Sequence, residues 1–398
     1  MISSCKTNMF LLDAEGYVAW WRKDQEETSN DFKYQPAANA FTSMGYRDEV
    51  GGVFYTYDTE FNAVDTLEAA NGERGDRHEF LLLENGHKII GTLYDTIMDL
   101  SAFTFNGITG LPNSTVRGFG IQEFDAENNL VWTWHSTDFV HPVEFSDGLN
   151  YNANSFDYAH GNSIDLDQDG NLIVSLRNTS TVCKIDRVNR TGNILWRLGG
   201  EESSFLMVDD EYFNAQHYAR VLPNGHIGMY DNGNLRWPGR YSRAAEYELD
   251  PVAETAELVW EYDADRSIFA SAIGNAQWIN DDLILIGWGY VFRPDPTFSL
   301  VDRAGNVLTS LYFEDGYVSY RIQATELPFD LPRPTLTYEV HGETVTLHAP
   351  EGYEEYVWST GETTSSITVA ANGTYQVWVP HGIGMVGSYP LHVDALVG

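Results

Sequence analysis

Cations are scarce in this chain. Against 58 Asp and Glu it carries 23 Lys and Arg, for a formal net charge of −35. A surface that acidic repels nucleic acid and anionic lipid alike, which removes both from the candidate partners. An anionic small molecule can therefore be held only by a local cluster of donors acting against the overall field. Cysteine is nearly absent: Cys5 and Cys183 neither require nor forbid a disulfide, and they make no metal motif. No run of about 18 apolar residues occurs, so no segment reads as a membrane-spanning helix, and no secretory signal peptide is apparent. The opening Met1-Ile2-Ser3-Ser4-Cys5 reads either as the end of a bacterial lipoprotein signal, with a lipid anchor on Cys5, or as an arbitrary start. The 3.6-residue periodicity of amphipathic helices is almost missing as well.

What the chain has in quantity is aromatic and turn-forming residues: 11 Trp, 23 Tyr, 20 Phe and 35 Gly in 398 residues. That mixture favours many short strands over helix bundles. The length suits one large domain with a small one attached.

Two phrases alternate through the first 330 residues or so. One is an apolar pair, Asp, a turn and a strand rich in Val, Leu and Trp. It stands as LLDAEGYVAWW from Leu11, EFDAENNLVWTW from Glu123 and KIDRVNRTGNILWRL from Lys184, with weaker copies from Tyr247 and Leu300. The other is a hairpin with an Asn-Gly-like turn: LLLENGHKIIG from Leu81, DLDQDGNLIVS from Asp165, VLPNGHIGMY from Val221 and WINDDLILIG from Trp278. Hairpins recurring at such intervals read as propeller blades, and five units are clear. The proline-rich LPFDLPRPTL ends this region, so the expected domains are residues 1–330 and 331–398. The second alternates apolar and polar residues, as in EYVWSTGETTSSITVAANGTYQVWV, which fits a small immunoglobulin-like β-sandwich. It reads as a spacer or weak binding module.

Three histidines hold the same phase in this repeat. His78, His160 and His217 precede the turn glycines Gly86, Gly170 and Gly225 by 8, 10 and 8 residues. A lone histidine in a β-protein is more often structural, but side chains at one end of successive inner strands converge on one axial funnel. His87 and His226 follow their turn glycines and read as structural. Asn162 lies two residues from His160, on the same strand face, and Arg177 returns opposite position 160 or 162, depending on register. A guanidinium beside an imidazole and an amide suits a tetrahedral oxyanion such as sulfate or phosphate. Asp165-x-Asp167-x-Asp169-Gly170 begins like a calcium loop, but its twelfth residue is Leu176, so it reads as an acidic hairpin turn.

An ordered set of phrases resembles the arylsulfotransferase family, in particular the branch common in fungi and scattered bacteria. They are Asp76-Arg77-His78-Glu79-Phe80, His160-Gly161-Asn162-Ser163-Ile164-Asp165, Ser175-Leu176-Arg177, Lys184-Ile185-Asp186 and Trp196-Arg197-Leu198-Gly199-Gly200. Gln216-His217-Tyr218-Ala219-Arg220, Asp231-Asn232, Gly274-Asn275-Ala276-Gln277, Gly287-Trp288-Gly289 and Ser319-Tyr320-Arg321 follow in order. The resemblance spans roughly residues 10–325 and implies a six-bladed β-propeller. It also implies that His217 takes the sulfuryl group of an aryl sulfate ester as a sulfohistidine and passes it to a phenolic acceptor, with no nucleotide donor and no cofactor. His78, His160 and Arg177 are then catalytic, with Asn162, Arg321 and Asn232 as substrate-binding or supporting residues. An extracellular or periplasmic location goes with this picture. The sequon Asn178-Thr179-Ser180 stands beside the proposed site, where a glycan would obstruct it.

Two other classes share the fold. Three axial histidines can bind a divalent ion in a lyase or hydrolase, although a neighbouring arginine opposes a metal. A non-catalytic secreted propeller that binds an anion or glycan is the third reading.

Overall fold

The structure is a computed structural model that describes residues 8–23, 29–105, 107–144, 155–208, 210, 212–314 and 317–394. Strands dominate, and the few helical turns are short 3-10 segments. Cys5 lies outside the described residues. The chain forms two compact units, one drawn from within 1–46, 54–66 and 326–398, the other from 47–53 and 67–325.

The second unit is a propeller of four-stranded antiparallel blades. Blade 1 comprises Arg74–Leu82, Lys88–Met98, Ser114–Phe124 and Leu130–His135. Blade 2 comprises Gly161–Leu166, Leu172–Leu176, Thr181–Ile185 and Ile194–Gly199. Blade 3 comprises His217–Val221, Ile227–Asp231, Arg243–Asp250 and Thr255–Tyr262. Blade 4 comprises Asn275–Trp278, Leu283–Gly287, Phe298–Asp302 and Val307–Leu311. The first strands of successive blades pack against one another, which puts them at the axis.

The reason is visible in single strands. In Leu172–Leu176, Leu172 and Val174 bury into the core shared by blades 1 and 2, while Ile173 points the other way, into the core of blades 2 and 3. A strand covered on both faces reads as an unbroken apolar run, and each such side chain contributes about 1.5–3 kcal/mol. Gly86, Gly170 and Gly225 turn the inner hairpins at φ of 79°, 83° and 87°, a region other residues enter at a cost.

Blade 4 is bordered by residues 320–325, which form no strand. Asn275 Nδ2 donates to the Ile322 carbonyl (2.6 Å) and its Oδ1 accepts from the Ile322 N–H (2.9 Å). Gln277 clasps Ala324 in the same way, at 2.8 and 2.7 Å. Amide side chains thus replace a backbone ladder along that edge and bring Tyr320 and Arg321 to the axis.

The first unit corrects one feature of the sequence reading. The phrase from Leu11 forms the hairpin Asn8–Leu12 and Val18–Lys23, and it pairs not with a blade but with Gly384–Gly387, Trp20 opposite Val386. That sheet continues through Val377–His381 to Val357–Trp358. Trp20 is fully buried with Phe41, Phe61, Leu347, Trp358 and Val379, and it stacks on Phe61 at 4.4 Å. Strand runs Asn30–Gln35, Ala40–Arg47, Gly51–Tyr57 and Ala63–Glu68 follow, mostly in this unit. Four of the five repeat units in the sequence are therefore blades of the second unit, and residues 331–398 share a core with the N-terminal strands. The repeat specifies a hairpin, whereas its partner is chosen by which apolar face Trp20 must cover.

Candidate active site

Each histidine-bearing inner strand breaks its register at the histidine. The ladder slips between Gly75 and Phe80 in blade 1, between Gly161 and Ser163 in blade 2, and between His217 and Arg220 in blade 3. The inner strand of blade 4, which has Asn275 and no histidine, pairs regularly with its neighbour. Such bulges re-aim a side chain out of the alternation of a flat strand. Two need left-handed backbone: His160 at φ 49° and Tyr218 at φ 57°. For non-glycine residues that conformation costs about 1–3 kcal/mol each, and the surroundings must hold it in place.

The bulge at Asn162 also decides the register of Arg177. Its N–H donates to the His160 carbonyl (3.1 Å), so positions 160 and 177 are the facing pair. The guanidinium donates to Asn178 Oδ1 (2.6 Å) and the Ser271 carbonyl (3.3 Å).

Two of the imidazoles are backed by carboxylates. His78 Nδ1 lies 2.7 Å from Asp76 Oδ1, and His160 Nδ1 lies 2.5 Å from Asp157 Oδ2. Each aspartate also accepts the backbone N–H of its histidine, at 2.9 Å in both cases. The two rings meet edge to face at 5.2 Å. Burial alone lowers the pKa of His160, but the hydrogen bond and charge of Asp157 outweigh it, and the net shift is upward.

His217 is treated differently. It is buried, and its Nδ1 lies 2.7 Å from Asn232 Oδ1 and 3.2 Å from the Ala215 carbonyl. Asn232 Nδ2 donates to the Ala270 and Ile273 carbonyls (2.9 and 3.0 Å), which fixes which end of the amide faces the ring. Nδ1 therefore faces two acceptors and carries the proton, leaving the lone pair on Nε2. Burial pushes this imidazole well below its usual pKa, and the charges of Arg177, His78 and His160 push the same way, against the Asn232 bond. One site thus combines a neutral imidazole, two carboxylate-backed ones and a guanidinium.

The three positions expected to bind substrate are all buried beside these histidines. Asn162 is fully buried and gives its amide N–H to the Gln216 carbonyl at 2.6 Å, one residue before His217. Asn232 holds His217. Arg321 donates to the Asn162 carbonyl at 2.8 Å and pairs with Glu79 at 3.3 Å, its side chain 3% exposed. These hydrogen bonds tie the amide and guanidinium groups to the histidine strands.

The sequence reading singles out neither Asp76 nor Asp157. Their signal was local: an aspartate two or three residues before a histidine, where Ala215 precedes His217. His87 and His226 sit in separate carboxylate networks, bonded to Glu123 and Glu246 at 2.7 Å. Asp167 and Asp169 both pair with Lys184, at 2.5 and 2.6 Å, which leaves that turn with its own cation. The sequon residue Asn178 is buried, and its Nδ2 donates to the Asp157 carbonyl at 2.7 Å. Among the described residues, no group of three or more His, Cys, Asp and Glu side chains is arranged to hold a metal ion.

A family model described as arylsulfotransferase (ASST) matches residues 1–325. An arylsulfate sulfotransferase AssT from Escherichia coli O6:H1 is 22% identical over 331 residues, covering 65% of this chain and 53% of its own. Its counterpart from Lelliottia amnigena is 20% identical with the same coverage. The chain spans about half the length of these curated relatives. A solved protein of unknown function from Bacteroides caccae is 12% identical with a TM-score of 0.47, covering 76% of this chain and 89% of that one.

Proposed function

The chain belongs to the arylsulfotransferase family, and from that premise we propose that it moves a sulfuryl group from an aryl sulfate ester to a phenolic acceptor through His217. The observation that carries this is the fixed tautomer of His217: a buried, neutral ring whose Nδ1 is committed to Asn232 and whose Nε2 keeps its lone pair.

In the first half-reaction the Nε2 lone pair forms the N–S bond as the S–O bond to the aryl group breaks. The departing phenolate takes a proton from the imidazolium of His160, whose raised pKa suits a proton donor. Asn232 Oδ1 keeps the Nδ1 proton and steadies the positive charge on the sulfated ring. Arg177 and His78 face the sulfuryl oxygens, and a preorganised donor of this kind is worth about 3 kcal/mol in a transition state with peripheral charge. In the second half-reaction neutral His160 takes the proton of the acceptor phenol, whose oxygen attacks sulfur. The N–S bond then breaks and its electron pair returns to Nε2.

An extracellular or periplasmic location, and a spacer or weak binding role for an immunoglobulin-like C-terminal module, belong to the same proposal. The acidic composition supports the former.

The test is phenol release from p-nitrophenyl sulfate with and without a second phenol, in wild type and His217→Ala. Release that rises with acceptor and disappears in the variant is expected, with a sulfated His217 peptide by mass spectrometry. No release from a panel of aryl sulfates sinks the proposal.

A further inference from the structure

We propose that Glu79 is a positioning residue that sets the backbone of all three histidine strands from one buried carboxylate. The inference rests on the sulfuryl-transfer reading for its kinetic consequence only.

Glu79 directly follows His78, on the bulged inner strand of blade 1, and is 1% exposed. Its Oε2 lies 2.5 Å from Arg220 Nη2 and 3.3 Å from Arg321 Nη1. Arg220 belongs to the inner strand of blade 3, three residues beyond His217. Arg321 carries the connection to blade 2, where its other nitrogen donates to the carbonyl of Asn162, the residue at the bulge beside His160. The carboxylate therefore touches or ties each of the three irregular strands.

The link to the nucleophile runs through Tyr218. This residue follows His217 and sits in the left-handed region at φ 57°. Both guanidinium groups lie over its ring, Arg220 at 3.8 Å and Arg321 at 4.9 Å from the centroid. Two like charges gather at one phenol ring only where an anion neutralises them. Glu79, in contact with both, is that anion, with Asp165 acting on Arg220 as well. That hold on Tyr218 needs both guanidinium groups fixed by the carboxylate, so loss of Glu79 or of Arg321 loosens it, and the strand is released to relax toward φ below zero. His217 then leaves Asn232. The inner strand of blade 4 supplies the contrast, since it has no bulge to hold.

The experiment compares wild type, Glu79→Gln and Arg321→Met by aryl sulfate kinetics and by 15N NMR of the histidine rings. Arg321→Met keeps the Glu79–Arg220 pair, so it reports on positioning even if Glu79→Gln fails to fold. Expected in each folded variant are a kcat at least tenfold lower, a KM within threefold of wild type, and loss of the single Nδ1–H pattern of His217. Wild-type kcat and an intact His217 pattern in folded Arg321→Met would overturn the proposal. If wild type turns over no aryl sulfate, the transfer reading fails alone, and the His217 pattern still decides the role of Glu79: its loss in the folded variants supports that role, its persistence overturns it.

Discussion

His217 Nδ1 lies 2.7 Å from Asn232 Oδ1, whereas His78 and His160 present the same nitrogen to aspartates. An amide can fix the tautomer of a ring without adding charge to it. A carboxylate fixes the tautomer and also favours the imidazolium. The choice of partner therefore divides three similar histidines into one amide-anchored ring and two carboxylate-backed ones.

Asn232→Ala should separate these effects. The ring loses its anchor and can adopt the wrong tautomer, so kcat is expected to fall on the order of 100-fold or more. The Ala270 and Ile273 carbonyls also lose their donor, at about 1–3 kcal/mol, read as a lowered Tm. Unchanged kcat in a folded variant would remove Asn232 from the site.

The pH dependence follows from opposite shifts on two rings. His217 is held well below 6.5, so it stays neutral and nucleophilic down to a more acidic pH than a free histidine. His160 is raised above 6.5, so its proton is present below that pH and is lost as pH rises through the raised value. Activity should form a bell with its basic limb above 6.5. In Asp157→Asn only the charge of Asp76 still opposes the burial of His160, and the basic limb should move acidward by roughly a unit or more. A basic limb that stays in place would show that another group supplies the proton.

Gly161→Ala probes the packing beneath His160. A Cβ there would stand 2.4 Å from three atoms of the buried Phe119 ring. A rigid ring in a filled core cannot step aside, so a loss of about 1–3 kcal/mol is expected, with a fall in kcat as His160 shifts. A thermal melt and steady-state kinetics on one sample check both. No change in either would mean the core has room that the geometry denies.

Residues 331–398 expressed alone should not fold cooperatively. Their sheet lacks its pairing with Val18–Lys23, and their core lacks Trp20, Phe41 and Phe61. In the whole chain Trp20→Ala should cost about 3–5 kcal/mol. A cooperative melt of the isolated segment would show that it folds without those partners.

Much of the propeller was written locally. Hairpin turns at Gly86, Gly170 and Gly225 and the apolar runs between them are set by backbone preference and side-chain alternation, which act over a few residues. The common phase of His78, His160 and His217 was legible for the same reason, since equivalent places in equivalent hairpins share a direction. The Arg177 pairing was narrowed to two registers, and the bulge at Asn162 chose between them.

What the chain could not announce by itself were relationships between distant segments. Asn232 as the partner of His217, Glu79 as the joint counter-ion of Arg220 and Arg321, and Gly384–Gly387 as the partner of Val18–Lys23 join residues 15 to more than 360 positions apart. Nothing in the local pattern selects one amide, carboxylate or strand edge among many. The tertiary structure selects them, because a buried ring nitrogen, a buried cation and an apolar face must each find a partner within reach. Sequence by itself placed the three histidines at one phase of the repeat; only the packed propeller decided which of them meets an amide and which a carboxylate.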